Sequence, residues 1–316
     1  MRTAGEEFAM ALHLAGVAPR WDHASGRVSG FEIIASAELG RPRIDVTLRV
    51  SGLFRDVFTV LAQLFEQAAD ALATRDVEGD DNPYVRRGAR VFAPRPGHYG
   101  VGIAQLADVF THEARDAAGE AWLAASSWAL DVGGELKPDR AGIEARLASA
   151  DTFVHLQDLP ETDLLLSADY AAHQAGVAAA AKRLGAGLSL YHLDATRPQA
   201  PQARTLNEEI SRVVRARAAN PKWIAGMMRH GFRGAAEITA TLEHMATFAH
   251  LANVVPAHLF DLYHDATLGD DEVRAFMARE NPAALLALES CFGRLHEAAL
   301  WTTRRNSIAA SLRDAS

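Results

Sequence analysis

Imidazole, amide and carboxylate groups follow one another in the run His155-Leu156-Gln157-Asp158, and Asp163 comes five residues after Asp158. The run closes an apolar segment that has the pattern of a buried strand. Open α/β sheets bind their ligands at the carboxyl ends of strands. The run therefore predicts a ligand site that contains His155, Gln157, Asp158 and Asp163. The alternative is a polar turn whose acidic residues cap the following helix.

Two further clusters contain polar groups beside predicted strands. Arg41 and Arg43 stand at the entrance of one strand, and Arg55 follows its exit. The alternative interpretation of these arginines is ion pairing at the end of a sheet. His192 belongs to a third cluster, Tyr191–Pro198, at the end of another strand. The interpretation favoured for that cluster is a loop that leads into the second half of the chain.

Motifs for several common chemistries are absent from the sequence. It contains no G-x-x-x-x-G-K-[ST] run, which predicts that the chain has no P-loop of its own. Gly100-Val101-Gly102 lacks the third glycine of a dinucleotide fingerprint. A G-x-S-x-G nucleophile elbow and the H-E-x-x-H pair of zinc proteases are also missing. Hydrolase, dinucleotide-binding and zinc-protease functions are therefore disfavoured.

Composition and charge narrow the class further. The chain has 316 residues, of which 49% are hydrophobic and 23% charged, values that fit a globular protein. Its net charge of −8 argues against a nucleic-acid partner, which needs clustered Lys and Arg. No apolar run reaches the length of a membrane span, and the acidic Glu6 and Glu7 argue against a signal peptide. A single cysteine, Cys291, fits the reducing cytoplasm.

The elements that must position these clusters are predicted from hydrophobic periodicity. Alternating apolar residues indicate a strand over 43–50, and helical spacing indicates a helix over 54–73. A strand over 151–156, a helix over 167–184 and a strand over 187–193 follow in order. This order predicts a parallel βαβ unit. The predicted fold class is therefore α/β, with a parallel-sheet βαβ region followed by an all-helical C-terminal region.

The second half of the chain has only helical patterns. Thr205 and Glu208 have the spacing of a capping box, in which each side chain satisfies the other's backbone amide. Asn220-Pro221 predicts another helix start, because proline in the first turn loses no hydrogen bond. These signals predict an α/β region over residues 1–200 and an all-α region over residues 201–316.

Three long runs resemble one family. Residues 40–58 (GRPRIDVTLRVSGLFRDVF) are similar to a signature stretch of the CobN/BchH/ChlH family, the large subunits of aerobic cobaltochelatase and magnesium chelatase. Residues 205–217 and 220–235 resemble a second stretch of the same family. The runs Tyr191–Pro198 and Met227–Gly231 are closer to the cobalt branch than to the magnesium branch.

The resemblance implies a reaction and partners. The family subunit binds a tetrapyrrole and a metal ion, while separate AAA+ and von Willebrand-type subunits bind and hydrolyse ATP. In the cobalt branch, Co²⁺ is the substrate metal, and the acceptor is hydrogenobyrinic acid a,c-diamide in cobalamin biosynthesis. The alternatives are a magnesium chelatase H-type subunit that inserts Mg²⁺ into protoporphyrin IX, and a non-catalytic tetrapyrrole-binding or assembly module.

The resemblance also implies roles for the polar clusters. Metal insertion strips water from a divalent ion and removes protons from ring nitrogens, which carboxylates and neutral imidazoles can do. On this basis His155, Asp158 and Asp163 are the expected metal-side and catalytic residues. The side chains expected to bind the tetrapyrrole, whose carboxylates suit arginine, are Arg41, Arg43, Arg55, Gln157 and His192.

Length and two segments depart from the family pattern. Family large subunits are several times longer, so the resemblance implies the C-terminal part of one, as a fragment or as one piece of a split subunit with a separate N-terminal piece. His155 to Leu159 (HLQDL) replaces a more polar family run of the His-Asn-Gln-Asp-Asn type. Ser126 to Asp131 (SSWALD) replaces a Gly-Gly-Tyr-Ala-Tyr-Gly segment.

Overall fold

The structure is a computed structural model that describes residues 5–75, 82–103, 106, 108–305 and 308. The chain divides into two compact units. Unit 1 comprises residues 1–101 and 123–150, and unit 2 comprises residues 102–122 and 151–316. No helix within the described ranges is long and apolar enough to span a membrane.

Unit 1 combines helices with two small sheets. Its described elements are α1 (Glu6–Ala15), β1 (Val17–Trp21), β2 (Val28–Ile33), α2 (Ser36–Leu39), β3 (Leu48–Arg49), α3 (Gly52–Val57), α4 (Thr59–Arg75), β4 (Val91–Ala93), β5 (Trp128–Leu130), β6 (Leu136–Pro138) and α6 (Arg140–Ala148). β1 and β2 form an antiparallel pair, and the second sheet has the order β3-β4-β5-β6. Only β3 and β4 are parallel in that sheet. Apolar side chains of α1, α4 and the sheets form its core.

Two sequence predictions in unit 1 change in detail. The strand predicted over 43–50 is reduced to Leu48–Arg49, because the ladder to β4 begins only where Leu48 N–H donates to the Arg90 carbonyl at 2.7 Å. The helix predicted over 54–73 divides into α3 and α4 at Phe58, whose backbone leaves the helical conformation (φ −120°, ψ 37°). Ser51 caps α3 by accepting from Phe54 N–H.

Unit 2 contains a three-stranded sheet and most of the helices. Its elements are most of α5 (His112–Ala124), then β7 (Thr152–Gln157), α7 (Ala168–Tyr170), α8 (Gly176–Arg183), β8 (Ser189–Asp194), β9 (Gln202–Thr205), α9 (Leu206–Val213), α10 (Pro221–Met228), α11 (Gly231–Ala252), α12 (Ala257–Ala266), α13 (Asp271–Glu280) and α14 (Pro282–Glu297). β7 and β8 are parallel, and β8 and β9 are antiparallel. The predicted parallel βαβ unit is therefore confirmed.

The connection between β7 and β8 is not a uniform helix. Residues Ala171–Ala175 form a π-helical turn between α7 and α8. A second π-helical turn, Val214–Ala218, follows α9. Such wider turns often lie at functional sites. Gln174, on the first of these turns, reaches His155 in β7. Arg217, on the second, reaches Asp163 in the loop after β7.

The predicted boundary near residue 200 does not coincide with the division between the units. β9 extends the sheet by pairing with β8, and α11 packs against α8 and the first π-helical turn. The helical C-terminal region therefore shares one compact unit with the βαβ region. The predicted helix starts themselves are confirmed, since Thr205 and Glu208 form both bonds of the capping box and Asn220 accepts from Lys222 N–H.

Candidate functional site

The carboxyl halves of β7 and β8 bring together two histidines of the predicted site. The two strands are parallel, and His155 lies directly beside His192 in their register. Side chains that are paired in this way point to the same face of a sheet. Both face the π-helical turn Ala171–Ala175, from which Gln174 reaches them. His192 and Gln174 are buried, and His155 is half-buried.

Gln157 joins these three side chains in a continuous hydrogen-bonded chain of four, which we call the His/Gln network. Gln174 Nε2 lies 3.0 Å from His155 Nδ1 and 3.3 Å from His192 Nδ1. His192 Nε2 lies 3.0 Å from Gln157 Oε1. The Gln157 amide nitrogen donates to the carbonyl oxygens of Leu159 and Thr162, at 3.1 and 2.5 Å.

Aromatic rings and burial set the polarity around this network. The Tyr170 ring lies 5.1 Å from the His155 ring and 6.0 Å from the His192 ring, measured between centroids. Burial lowers the pKa of His192 below its ordinary value of 6.5, although Glu209 and Asp194 act in the opposite direction. His192 is therefore neutral at pH 7. A neutral imidazole has one donating and one accepting nitrogen, which suits an amide nitrogen beside Nδ1 and an amide oxygen beside Nε2.

Asp163 is held by an ion pair instead of facing the His/Gln network. Arg217, on the second π-helical turn, donates to both Asp163 carboxylate oxygens, the longer bond being 3.1 Å. The Arg217 guanidinium also lies over the Trp223 ring, 4.7 Å from its centroid. The carboxylate further accepts from Leu165 N–H at 2.8 Å, so it orders the turn after β7.

The predicted metal-ligand set of His155, Asp158 and Asp163 is not assembled. Within the part of the chain that the structure describes, no three His, Cys, Asp or Glu side chains are grouped closely enough to hold a metal ion. The physical reason is that Asp163 is committed to Arg217 and His155 Nδ1 to Gln174. The assignment of His155, Asp158 and Asp163 to the metal side stays a prediction.

Arg41 and Arg43, predicted to bind substrate, close the end of α1 in unit 1. Arg43 donates to the carbonyls of Ala15 and Gly16 at 3.1 Å each, and Arg41 donates to the carbonyl of Leu14 at 3.0 Å. A side chain at Gly16 would place its Cβ 2.2 Å from the Arg43 guanidinium. Basic groups at a helix C-terminus satisfy its free carbonyls. Arg43 is buried and closes the end of α1, and its predicted substrate contact stays a prediction.

Arg55 has a comparable role at another place in unit 1. Its guanidinium donates to the carbonyls of Pro94 and Arg95, at 2.6 and 3.0 Å, and pairs with the Asp56 carboxylate. Tyr99 donates its hydroxyl to Asp56 at 2.8 Å. Arg55 is only 4% exposed, and its bonds fix the loop that follows β4. Its predicted substrate contact stays a prediction.

Gln174, Tyr170 and Arg217 were not predicted from the sequence, although they complete the surroundings of β7. The signal for Gln174 was a polar residue inside an otherwise alanine-rich helical run, AAHQAGVAAAA. A cavity of about 610 Å³ also lies in unit 2, beside Arg115, Lys182 and Tyr191. None of the predicted site residues lines this cavity.

A parallel βαβ unit with a polar network on its strands, joined to a helical region, defines an α/β protein. The sequence pattern of one family covers nearly all of it: the model described as CobN/Magnesium Chelatase matches residues 1–308. The chain belongs to this family. The resemblance inferred from residues 40–58, 205–217 and 220–235 is thereby confirmed.

Individual relatives agree with this assignment. The chain is 41% identical to the aerobic cobaltochelatase protein CobN of Sinorhizobium sp, with 97% of this chain and 26% of that protein covered. The corresponding protein of Pseudomonas aeruginosa is 39% identical, with 95% and 26% covered. The H-type subunit of magnesium chelatase from Cereibacter sphaeroides is 29% identical, with 90% and 25% covered.

A solved structure has the same fold. The catalytic subunit of cobaltochelatase from Mycobacterium tuberculosis superposes with a TM-score of 0.92 at 32% sequence identity. The match covers 100% of this chain and 28% of that one. The chain thus spans about a quarter of the length of the relatives that it matches. That this quarter is the C-terminal one stays a prediction.

Proposed function

We propose that this chain contributes the β7–β8 face of a chelatase large subunit that inserts Co²⁺ into hydrogenobyrinic acid a,c-diamide. The observation that carries the proposal is the His/Gln network, which places a half-buried imidazole on the carboxyl half of a parallel strand. Identities of 41% and 39% to CobN proteins, against 29% to an H-type subunit of magnesium chelatase, support cobalt as the metal.

The proposed division of labour leaves ATP to partner subunits of the AAA+ and von Willebrand types, in the cytoplasm. The supporting observation is that the sequence of this chain contains no P-loop motif. In this proposal the chain orients the tetrapyrrole and accepts protons from its ring nitrogens. The rest of the large subunit supplies the remaining part of the pocket.

Asp158 is the proposed proton acceptor. It follows β7 directly and is half-buried. It lies in the turn whose Leu159 and Thr162 carbonyls accept hydrogen bonds from Gln157. A carboxylate in such a position can take a proton from a ring nitrogen as the metal enters. His155, Gln157 and His192 lie on the carboxyl halves of β7 and β8, where His155 is half-buried and the other two are buried. Arg41, which is also half-buried, stays a proposed contact for a substrate carboxylate.

The assignment of Asp158 is tested by cobalt insertion in the complete chelatase complex that contains this chain. Asp158→Ala is expected to lower kcat by about 100- to 10,000-fold, the range for a lost general base. The matched control is Glu161→Ala, which removes an exposed carboxylate from the same turn and should leave the rate unchanged. An unchanged rate in Asp158→Ala would remove Asp158 from the mechanism.

Magnesium chelation is the second candidate, favoured by the match to the H-type subunit of magnesium chelatase. The complete complex can be supplied in parallel with Co²⁺ and hydrogenobyrinic acid a,c-diamide or with Mg²⁺ and protoporphyrin IX. Insertion only in the second pair would replace the cobalt proposal.

A non-catalytic binding or assembly module is the third candidate, favoured because no three-ligand metal group occurs in the described residues. Titration of the chain with the corrin precursor and with the AAA+ partner separates the two roles. Binding of the AAA+ partner without binding of the tetrapyrrole would favour the module.

A further inference from the structure

The cavity of about 610 Å³ in unit 2 lies at the amino-terminal half of β8. Residues of α5 and α8, the first residues of β8 and α9, and the C-terminal end of α11 form its wall. None of the four side chains of the His/Gln network belongs to this wall. Small-molecule sites in proteins have volumes of about 300 to 1,000 Å³. The cavity is therefore a separate place, large enough for a small molecule.

The charged side chains that line this cavity are cationic. Arg115 and Lys182 contribute to the wall, and no Asp or Glu does so within the described ranges. The carboxylates next to lining residues in the sequence are held by other groups. Glu208 forms the capping box of α9, and Asp116 pairs with Arg183. An anion in the cavity therefore meets two positive charges and no carboxylate of the wall.

Two helix ends also meet the cavity, and their partial charges have opposite signs. α9 begins there with Leu206 and Asn207, which places its positive end at the wall. α11 ends there with Leu251 and Ala252, which places its negative end at the wall. The two ends offset each other, so the side-chain cations decide the sign of the charge in the cavity.

Both cations keep donors that the unit itself does not use. Arg115 donates through Nε to the His250 carbonyl at 2.6 Å. Its Nη1 and Nη2 atoms form no hydrogen bond or ion pair with the residues that the structure describes. Lys182 is exposed, and its ammonium has no ion pair in that same part of the chain. A guanidinium fixed through Nε presents two parallel donors, which match the oxygens of a carboxylate or a phosphate.

Apolar side chains form another part of the wall. Leu188, Leu190 and Val254 line the cavity, and each is half-buried, so part of their surface is still open to a ligand. Removal of such surface from water favours a ligand with an apolar body. We infer that the cavity binds a small organic oxyanion, whose carboxylate or phosphate contacts Arg115 and Lys182 and whose apolar body packs on the leucines. This site goes beyond the proposed function and does not depend on it.

The probe for this site is 8-anilinonaphthalene-1-sulfonate, an oxyanion on an apolar body that binds open apolar surface. Titration of the full chain, followed by fluorescence, is expected to show one saturable site. Phenyl phosphate and benzoate are then added as competitors, and the stronger of the two identifies phosphate or carboxylate as the preferred group. Benzyl alcohol has a similar body without charge, and it should compete roughly 10-fold more weakly because it forms no charge-assisted hydrogen bonds.

Two substitutions test the cations. Arg115→Gln is expected to weaken binding of the probe by about 10- to 100-fold, the range for hydrogen bonds to a charged group. Lys182→Gln should weaken it by about 2- to 5-fold, as for an exposed ion pair. Lys182 is exposed, so this variant keeps its fold even if Arg115→Gln disturbs the end of α11. The matched control is Lys222→Gln, which removes an exposed cation of the same unit that does not line the cavity.

Several results would overturn the inference. One is a wild-type chain without a saturable site, and another is an affinity that stays unchanged in both Arg115→Gln and Lys182→Gln. An equal loss in Lys222→Gln would show that only the overall charge matters. Competition by benzyl alcohol as strong as by either anion would show that the apolar body alone is recognised. Binding to this chain that disappears in the complete chelatase complex would show that another part of the complex fills the cavity.

Discussion

Asp163 and Arg217 form a mostly buried ion pair, with 12% and 16% of their side chains exposed. Removal of one partner leaves the other charge without compensation, which costs roughly 3 kcal/mol in comparable buried pairs. We therefore expect Asp163→Ala to lower the free energy of unfolding by roughly this amount, measured by urea denaturation. The change should be smaller when Arg217→Met is already present, because the guanidinium is then gone.

This expectation changes how an activity measurement on Asp163 is interpreted. A loss of insertion in Asp163→Ala reports the collapse of the turn after β7 as well as any chemistry. Additive effects of the two substitutions on unfolding would show that the pair contributes no coupling, and Asp163 would then return to consideration as a site residue.

His250 predicts a pH dependence of stability. Its side chain is buried against Phe110, and neither of its ring nitrogens has a hydrogen-bond partner among the described residues. Burial, with a smaller effect from Arg115, lowers the pKa of His250 from 6.5 to about 4. The folded state therefore binds fewer protons than the unfolded state between these values. The free energy of unfolding is therefore not reduced by His250 above pH 6.5. It falls by about 3 kcal/mol through His250 as the pH decreases to about 4.

His250→Phe should flatten the dependence of the free energy of unfolding on pH between 4 and 6.5, measured by denaturation at a series of pH values. His258→Gln is the control, since it removes an exposed imidazole of the same unit. An equally steep dependence in His250→Phe and in the wild type would contradict the role of His250.

At the scale of elements, the two π-helical turns explain how distant parts of the chain meet the end of β7. Gln174 comes from the turn Ala171–Ala175, and Arg217 comes from the turn Val214–Ala218. Gln174 Nε2 lies 3.0 Å from His155 Nδ1 within β7, and Arg217 donates to the Asp163 carboxylate after β7. The two π-helical turns therefore supply the side chains that contact β7 and the loop after it.

The contact between α10 and α11 predicts a sharp difference between two helical glycines. A Cβ at Gly234 would lie 1.8 Å from the Met227 carbonyl oxygen, whereas nothing lies within 4 Å of a Cβ at Gly293. Gly234→Ala is therefore expected to destabilise the chain by about 2 to 3 kcal/mol through overpacking. Gly293→Ala should stabilise it by about 0.5 to 1 kcal/mol, because alanine favours a helix.

Thermal denaturation of the two glycine variants gives the comparison directly, with a lower Tm for Gly234→Ala and a higher one for Gly293→Ala. A Gly234→Ala variant as stable as the wild type would show that α10 and α11 approach less closely than in this structure.

At the scale of the whole molecule, each unit has a hydrophobic core of its own. Leu72 on α4 is fully buried in unit 1, and Phe248 on α11 is fully buried in unit 2. Truncation of such side chains costs about 2 to 5 kcal/mol. We expect Leu72→Ala to raise amide hydrogen exchange mainly in unit 1 and Phe248→Ala mainly in unit 2, measured by mass spectrometry of peptides. A uniform rise over both units in either variant would mean that they unfold as one cooperative body.

Local patterns in the sequence determined the helix starts, the βαβ unit and the family. Thr205 and Glu208 lie three residues apart, so their capping box depends only on the local backbone, and both of its bonds are present. The runs over 40–58 and 220–235 identified the family because long stretches of specific residues carry that information by themselves. The strand over 43–50 was too long, because apolar alternation does not show where a ladder partner begins.

Tertiary structure alone decided which polar groups meet. Arg43 donates to backbone carbonyls 27 and 28 residues away, and Arg217 binds a carboxylate 54 residues away. Gln174 joins two histidines that lie 18 and 19 residues from it. Residue types and spacing identified side chains capable of chemistry, but a hydrogen bond forms only where packing brings a donor to an acceptor. For that reason the sequence supplied the histidines, and the fold decided that the Gln174 amide lies between them.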